Sequence, residues 1–190
     1  MLVRAGARRH LVLGNIFGKL GNKPSGQAQK WQRVVHYPRS TIYEAVSSVG
    51  DYSKFLPWCI SSRVLSRELD VTGAGTLTTE MGVGFDSGPM PMRSTFRSTV
   101  TLEPLTRVHA VSEPNEFIDS LVFSWEFAPI GERSTKLDLQ LEFRLKSGEH
   151  ALLWELAQDK VIHEYVRCFS KRCVELESEA AQQQRPESSN

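Results

Sequence analysis

The chain has 190 residues, 40% hydrophobic and 24% charged, enough for one domain with tails and too few for two. The composition excludes collagen, coiled coil and wholesale disorder, and no stretch reaches the roughly 18 apolar residues of a membrane-spanning helix. Three cysteines (Cys59, Cys168, Cys173) show no paired spacing, which argues against a disulfide framework or a structural zinc site and for a reducing compartment.

The net charge of +1 is unevenly spread. Residues 1–30 hold Arg4, Arg8, Arg9, Lys19, Lys23 and Lys30 and no acid; the first acid is Glu44. Leu13, Ile16, Phe17 and Leu20 share one helical face. A basic, acid-free, amphipathic start has the pattern of a mitochondrial presequence. The Gly-, Asn-, Gln- and Ser-rich stretch 21–29 reads as its linker or cleavage region, so residues 1–30 are assigned to presequence and linker. The remainder holds 17 basic and 22 acidic residues, and that net of −5 opposes non-specific nucleic-acid binding.

Trp31–Tyr37 is the expected first strand, ended by Pro38. Ser40 or Thr41 can cap a short helix through about Val49, and Asp51 a second one running to Pro57. Period-2 segments follow at Leu77–Phe85, Thr95–Leu102, Leu121–Phe127 and Thr135–Lys146. The last is the strongest: Leu137, Leu139, Leu141, Phe143 and Leu145 alternate with Lys136, Asp138, Gln140, Glu142, Arg144 and Lys146. One face to a core and the other to water favours an antiparallel sheet. From Glu149 to about Ser178 there is no Pro or Gly, and Ile162, Val166, Phe169, Cys173 and Leu176 form a helical stripe. The expected fold is α+β, a curved antiparallel sheet wrapped around a long C-terminal helix, with two short helices after the first strand. Residues 31–178 form the domain, and 179–190 are expected to be a disordered polar tail.

The inward set contains almost no ionisable group, whereas general acid–base chemistry wants an inward carboxylate or histidine with a shifted pKa. His109 could face either way, and His163 is expected at the solvent margin of the helix stripe. No nucleophile elbow, phosphate loop, dinucleotide fingerprint or zinc-protease motif occurs. Cys59, among Phe55, Leu56 and Trp58, suits an inert thiol. Such a lining predicts an apolar ligand held by burial, at about 25 cal/mol per Å².

Asp51-Tyr52-Ser53-Lys54-Phe55-Leu56-Pro57-Trp58-Cys59, Glu80-Met81-Gly82-Val83-Gly84-Phe85, Phe117–Leu121 with Trp125–Pro129, and Val161–Cys173 occur in this order. Together they resemble the motifs of the mitochondrial coenzyme Q-binding protein family, of START-like helix-grip fold within the polyketide cyclase/dehydrase superfamily. The resemblance covers about Gln32 to Leu176. It implies a non-enzymatic protein that binds coenzyme Q between sheet and helix at the matrix face of the inner mitochondrial membrane. It also implies support of respiratory electron transport and coenzyme Q synthesis, with association with proteins of those systems. No catalytic cofactor or metal is expected, and coenzyme Q or a related polyisoprenoid is the ligand. The resemblance assigns Phe55, Pro57 and Trp58 to the pocket end or its gate, and the inward alternation with the helix stripe assigns Met81, Val83, Phe85, Phe96, Phe123, Trp125, Ile162, Val166 and Phe169 to the lining.

Two stretches depart from the family pattern: Gly82 replaces a larger, usually charged residue, and Asp86–Met92 does not match. Gly88–Met92, apolar and flanked by Arg93 and Arg97, reads either as a loop tucked on the protein's own core or as a lid in which Met90 and Met92 touch the membrane while Arg93 meets anionic headgroups. Two other classes remain open: a polyketide cyclase/dehydrase-like enzyme acting on an apolar substrate, which needs inward acid–base residues, and a ribosome-associated interaction protein, which needs a basic patch.

Overall fold

The computed structural model describes residues 26–85 and 92–183, with backbone only for 26, 27, 85, 92 and 148–162. The presequence assignment therefore lies outside the described residues, and so does Met90.

The elements run β1 (Gly26–Val35), α1 (Arg39–Ser47), a 3-10 turn (Val49–Asp51), α2 (Tyr52–Phe55), β2 (Cys59–Leu69), β3 (Gly75–Phe85), β4 (Met92–Glu103), β5 (Arg107–Ser112), β6 (Ile118–Gly131), β7 (Ser134–Leu145) and α3 (Gly148–Gln183). All seven strands form one antiparallel sheet of order β1-β7-β6-β5-β4-β3-β2. This is the helix-grip arrangement: a curved sheet, two short helices after the first strand, and a long C-terminal helix.

Alternation sets which face is inside. Leu137, Leu139, Leu141 and Phe143 are all buried while their neighbours are half-buried or exposed. Register carries that face across the sheet: Trp31 opposes Leu139, Trp125 opposes Leu139 from the other side, and Met81 opposes Phe96. The contiguous core joins this face to Ile42, Ala45 and Val46 of α1 and to Cys168, Phe169 and Cys173 of α3. Arg133, in the β6–β7 turn, grips Glu177 with both carboxylate oxygens at 2.9 and 3.1 Å, tying the hairpin to α3.

Several boundaries differ from the sequence reading. β1 begins at Gly26, inside the stretch assigned to the linker, because β7 offers a ladder as far as Arg144 and Gly26 pairs with it. β2 carries no alternation, being an edge strand exposed along most of its length and interrupted by two register shifts. Asp51 makes no capping bond; it pairs with Lys54 at 2.6 Å instead. α3 continues to Gln183, five residues past Ser178 and into the segment expected to be tail. The Glu113-Pro114-Asn115 break is held by Asn115, whose Oδ1 accepts the Phe117 and Ile118 amides and whose Nδ2 donates to Ser94 and Thr95 of β4.

Candidate functional site

The concave side divides into a packed end and a looser one. At the packed end, Phe169 is 1% exposed and meets Tyr52, Phe55, Trp125 and Tyr165 at ring-centroid distances of 5.4, 5.2, 5.2 and 5.2 Å. Trp125, 3% exposed, stacks on Phe127. These rings pack on one another, Phe55 among them. Trp58 stacks on Tyr165 at 5.6 Å, and Phe123 meets Tyr165 edge-on at 5.7 Å, so Tyr165 closes the packed end. Its hydroxyl makes no hydrogen bond among the described residues, whereas the neighbouring Tyr52 donates to the Val46 carbonyl.

Beyond Tyr165 the inward side chains Met81, Phe96, Leu121 and Phe123 are only half-buried. Val83, Ile118, Leu141 and Phe143 are buried yet stand apart from the contiguous core among the described residues. A cavity of about 100 Å³ lies between β1, β7 and α3, lined by Trp31, Arg33, Leu139, His163 and Val166. Of the residues expected to line the pocket, Val166 borders this cavity. Pro57 sits exposed in the turn before β2. Phe85 and Met92 pair at the ends of β3 and β4, and Ile162 lies on α3; the side chains of all three fall outside the described residues.

Buried polar side chains among the described residues are Thr79, Ser94 and Thr135. Each is bonded within the protein, to Ser98, to Glu116 and to Tyr37. Burial pushes the phenols of Tyr52 and Tyr165 and the thiols of Cys59 and Cys168 upward, and that of Cys173 up to about 12. All stay neutral at physiological pH, and a protonated buried thiol is a poor nucleophile. His109 lies on the convex face, with Nδ1 2.7 Å from Ser124 Oγ. Among the described residues no three His, Cys, Asp or Glu cluster to hold a metal, and no helix is long and apolar enough to cross a membrane.

Two motif residues also point outward. Glu80 bridges Arg63 and Arg97 across β2, β3 and β4, and those bonds hold its carboxyl below the usual range. A Cβ at Gly82 would lie 2.5 Å from Ser61 Oγ and 3.1 Å from Ile60 Cγ1. The glycine therefore suits the close cover of β2 over the convex face, where it borders an open hollow with Ile60, Ser61, Arg93 and Glu116.

Sequence reasoning missed Trp31, Arg33 and Tyr165 as site residues. Trp31 and Arg33 share the inward parity of Val35, the signal that could have placed them. Tyr165 lies on the same helix, beside the stripe of Val166 and Phe169.

A curved antiparallel sheet closed on a long helix over an apolar interior defines a START-like helix-grip protein. The chain belongs to the polyketide cyclase/dehydrase and lipid transport family, whose model matches residues 35–170. It is 32% identical over 143 residues to the mitochondrial coenzyme Q-binding protein COQ10 homolog B of Xenopus laevis, covering 74% of this chain and 55% of the frog protein. It is 31% identical over 110 residues to the ribosome association toxin RatA of Pseudomonas aeruginosa, covering 58% and 69%. A START superfamily protein from Mycobacterium smegmatis superposes with a TM-score of 0.63 at 17% identity, covering 78% and 98%.

Proposed function

We propose that this protein is a non-enzymatic carrier that holds coenzyme Q in the apolar space between sheet and α3. The observation that carries the reading is the chemistry of that space. Its fully buried polar residues among the described ones are Thr79, Ser94 and Thr135, whose hydroxyls are bonded within the protein; beside them lies the buried amide oxygen of Gln29, and no carboxylate or imidazole is among them. An isoprenoid tail gains from such a lining by burial alone, at about 25 cal/mol per Å². Relatives named as mitochondrial coenzyme Q-binding proteins in frog and Dictyostelium discoideum support the ligand. The basic, acid-free start supports delivery to mitochondria. The protein then works at the matrix side of the inner membrane, supplying coenzyme Q to respiration and to its own synthesis in contact with proteins of those systems. Arg93, exposed at the start of β4, is its contact with anionic lipid, beside Met90 and Met92.

The enzyme reading asks for a buried acid or base; His109 faces outward onto Ser124, and His163 stands exposed at the mouth of the cavity. The ribosome reading asks for a free basic patch, and Arg63 and Arg97 are instead joined by Glu80. Titration of the purified protein with a short-chain ubiquinone, followed by tryptophan fluorescence, tests the carrier. We expect saturable one-site quenching, abolished by Phe123→Asp in a variant that still folds. Absence of quenching together with turnover of a poly-β-ketone substrate would reverse the assignment.

A further inference from the structure

The cavity beside β1 has a more specific chemistry than the rest of the interior. Trp31 and Leu139 are register partners and form its floor with Val166, while Arg33 and His163, both exposed, stand at its mouth. Arg33 lies two residues from Trp31 on the same strand and hence on the same face. Its Nη1 donates to the Gln32 carbonyl at 2.9 Å, which leaves most of the guanidinium's five N–H groups for another acceptor. The Trp31 indole N–H and the His163 ring make no hydrogen bond among the described residues. Tryptophan and arginine can only donate, and among the described residues no carboxylate lines the cavity. Among the described residues the site therefore offers aromatic and aliphatic walls together with donors, and no carboxylate.

A matching ligand carries acceptors, lacks donors and is otherwise apolar. A fully substituted quinone ring fits, since its carbonyl and ether oxygens are all acceptors. A volume of about 100 Å³ is the share of about three liquid waters, room for one edge of such a ring. We propose that this cavity is the headgroup subsite, in which Arg33 and His163 donate to one quinone carbonyl while Trp31 and Val166 flank the ring. The tail then runs along the inward face of β7 past Leu141 and Phe143. This assignment rests on the quinone-carrier reading above and adds the polar contacts that tell a quinone from a bare isoprenoid.

The test compares two probes, a ubiquinone with two isoprene units and geranylgeraniol, on the whole protein and on Arg33→Met and His163→Leu. Both residues are exposed, so both variants should melt with the parent protein. We expect each substitution to weaken quinone binding about tenfold, the scale of one hydrogen bond from a charged or strong donor, and to leave geranylgeraniol affinity within twofold. Infrared spectra of the bound quinone should show one carbonyl band shifted down, and the shift should be lost in Arg33→Met. Unchanged quinone affinity, or equal weakening of both probes, overturns the subsite. A parent protein that binds geranylgeraniol but not quinone overturns it too. A parent that binds neither refutes the carrier reading itself, and the subsite falls with it.

Discussion

Val166→Phe is the perturbation whose sign separates a cavity from a packed core. Val166 is half-buried and forms one wall of the cavity of about 100 Å³. Empty core volume costs about 24 cal/mol per Å³, so filling the whole space would recover at most about 2.4 kcal/mol. The mouth at Arg33 and His163 opens to solvent, so water already recovers part of that amount, and we expect a gain of about 1 kcal/mol. In a chain of this size that raises Tm by about 2–4 °C. The same ring occupies the ligand's place, so ubiquinone affinity should fall more than tenfold. Differential scanning calorimetry and fluorescence titration on one preparation read both effects. A loss of more than about 4 °C would mean that the wall is already filled, since overpacking costs 1–3 kcal/mol. Unchanged ubiquinone binding would mean that the ligand sits elsewhere. Either result refutes the reasoning.

Two tyrosines on the same apolar wall should respond oppositely to loss of a hydroxyl. Tyr52→Phe strands the buried Val46 carbonyl and should cost about 1–3 kcal/mol in urea unfolding; Tyr165→Phe removes a hydroxyl with no partner among the described residues and should cost nothing. The Cys173 thiol keeps its proton in the native state up to about pH 12, against an ordinary value of 9.0. Above pH 9 the unfolded chain releases that proton and the native one does not, so stability falls as pH climbs from 9 toward 12. Cys173→Ala should shallow that slope in pH-resolved melts, and parallel slopes would contradict the assignment. Arg93→Ala should weaken binding to vesicles containing anionic lipid about fivefold at low salt, from about 1 kcal/mol per basic residue, and should not affect neutral vesicles.

How much of this was legible in the chain depends on how strongly burial marks each element. β7 was plain because every second residue is buried from Leu137 to Phe143. β2 was not, because an edge strand with bulges buries little and leaves no alternation. The Tyr52–Cys59 motif led to the aromatic end of the domain, but it could not show that Phe55 packs on Phe169 and Trp58 on Tyr165. Those contacts join positions more than a hundred residues apart. Likewise, Phe169 and Val166 lie on one helical stripe, yet one is sealed in rings and the other borders a cavity. Helical periodicity reports which side faces inward and is blind to what stands opposite. Arg33 shares the parity of Trp31 and Val35, but a charged side chain on an edge strand reads as solvent-facing until α3 is placed beside it.

Whether the interior holds a quinone is read by organic extraction of the protein purified from a ubiquinone-producing host, with mass spectrometry of the extract. The account predicts ubiquinone approaching one molecule per chain, and markedly less from Val166→Phe prepared in the same way. Recovery of phospholipid alone, or an equal ubiquinone yield from the filled variant, would contradict it.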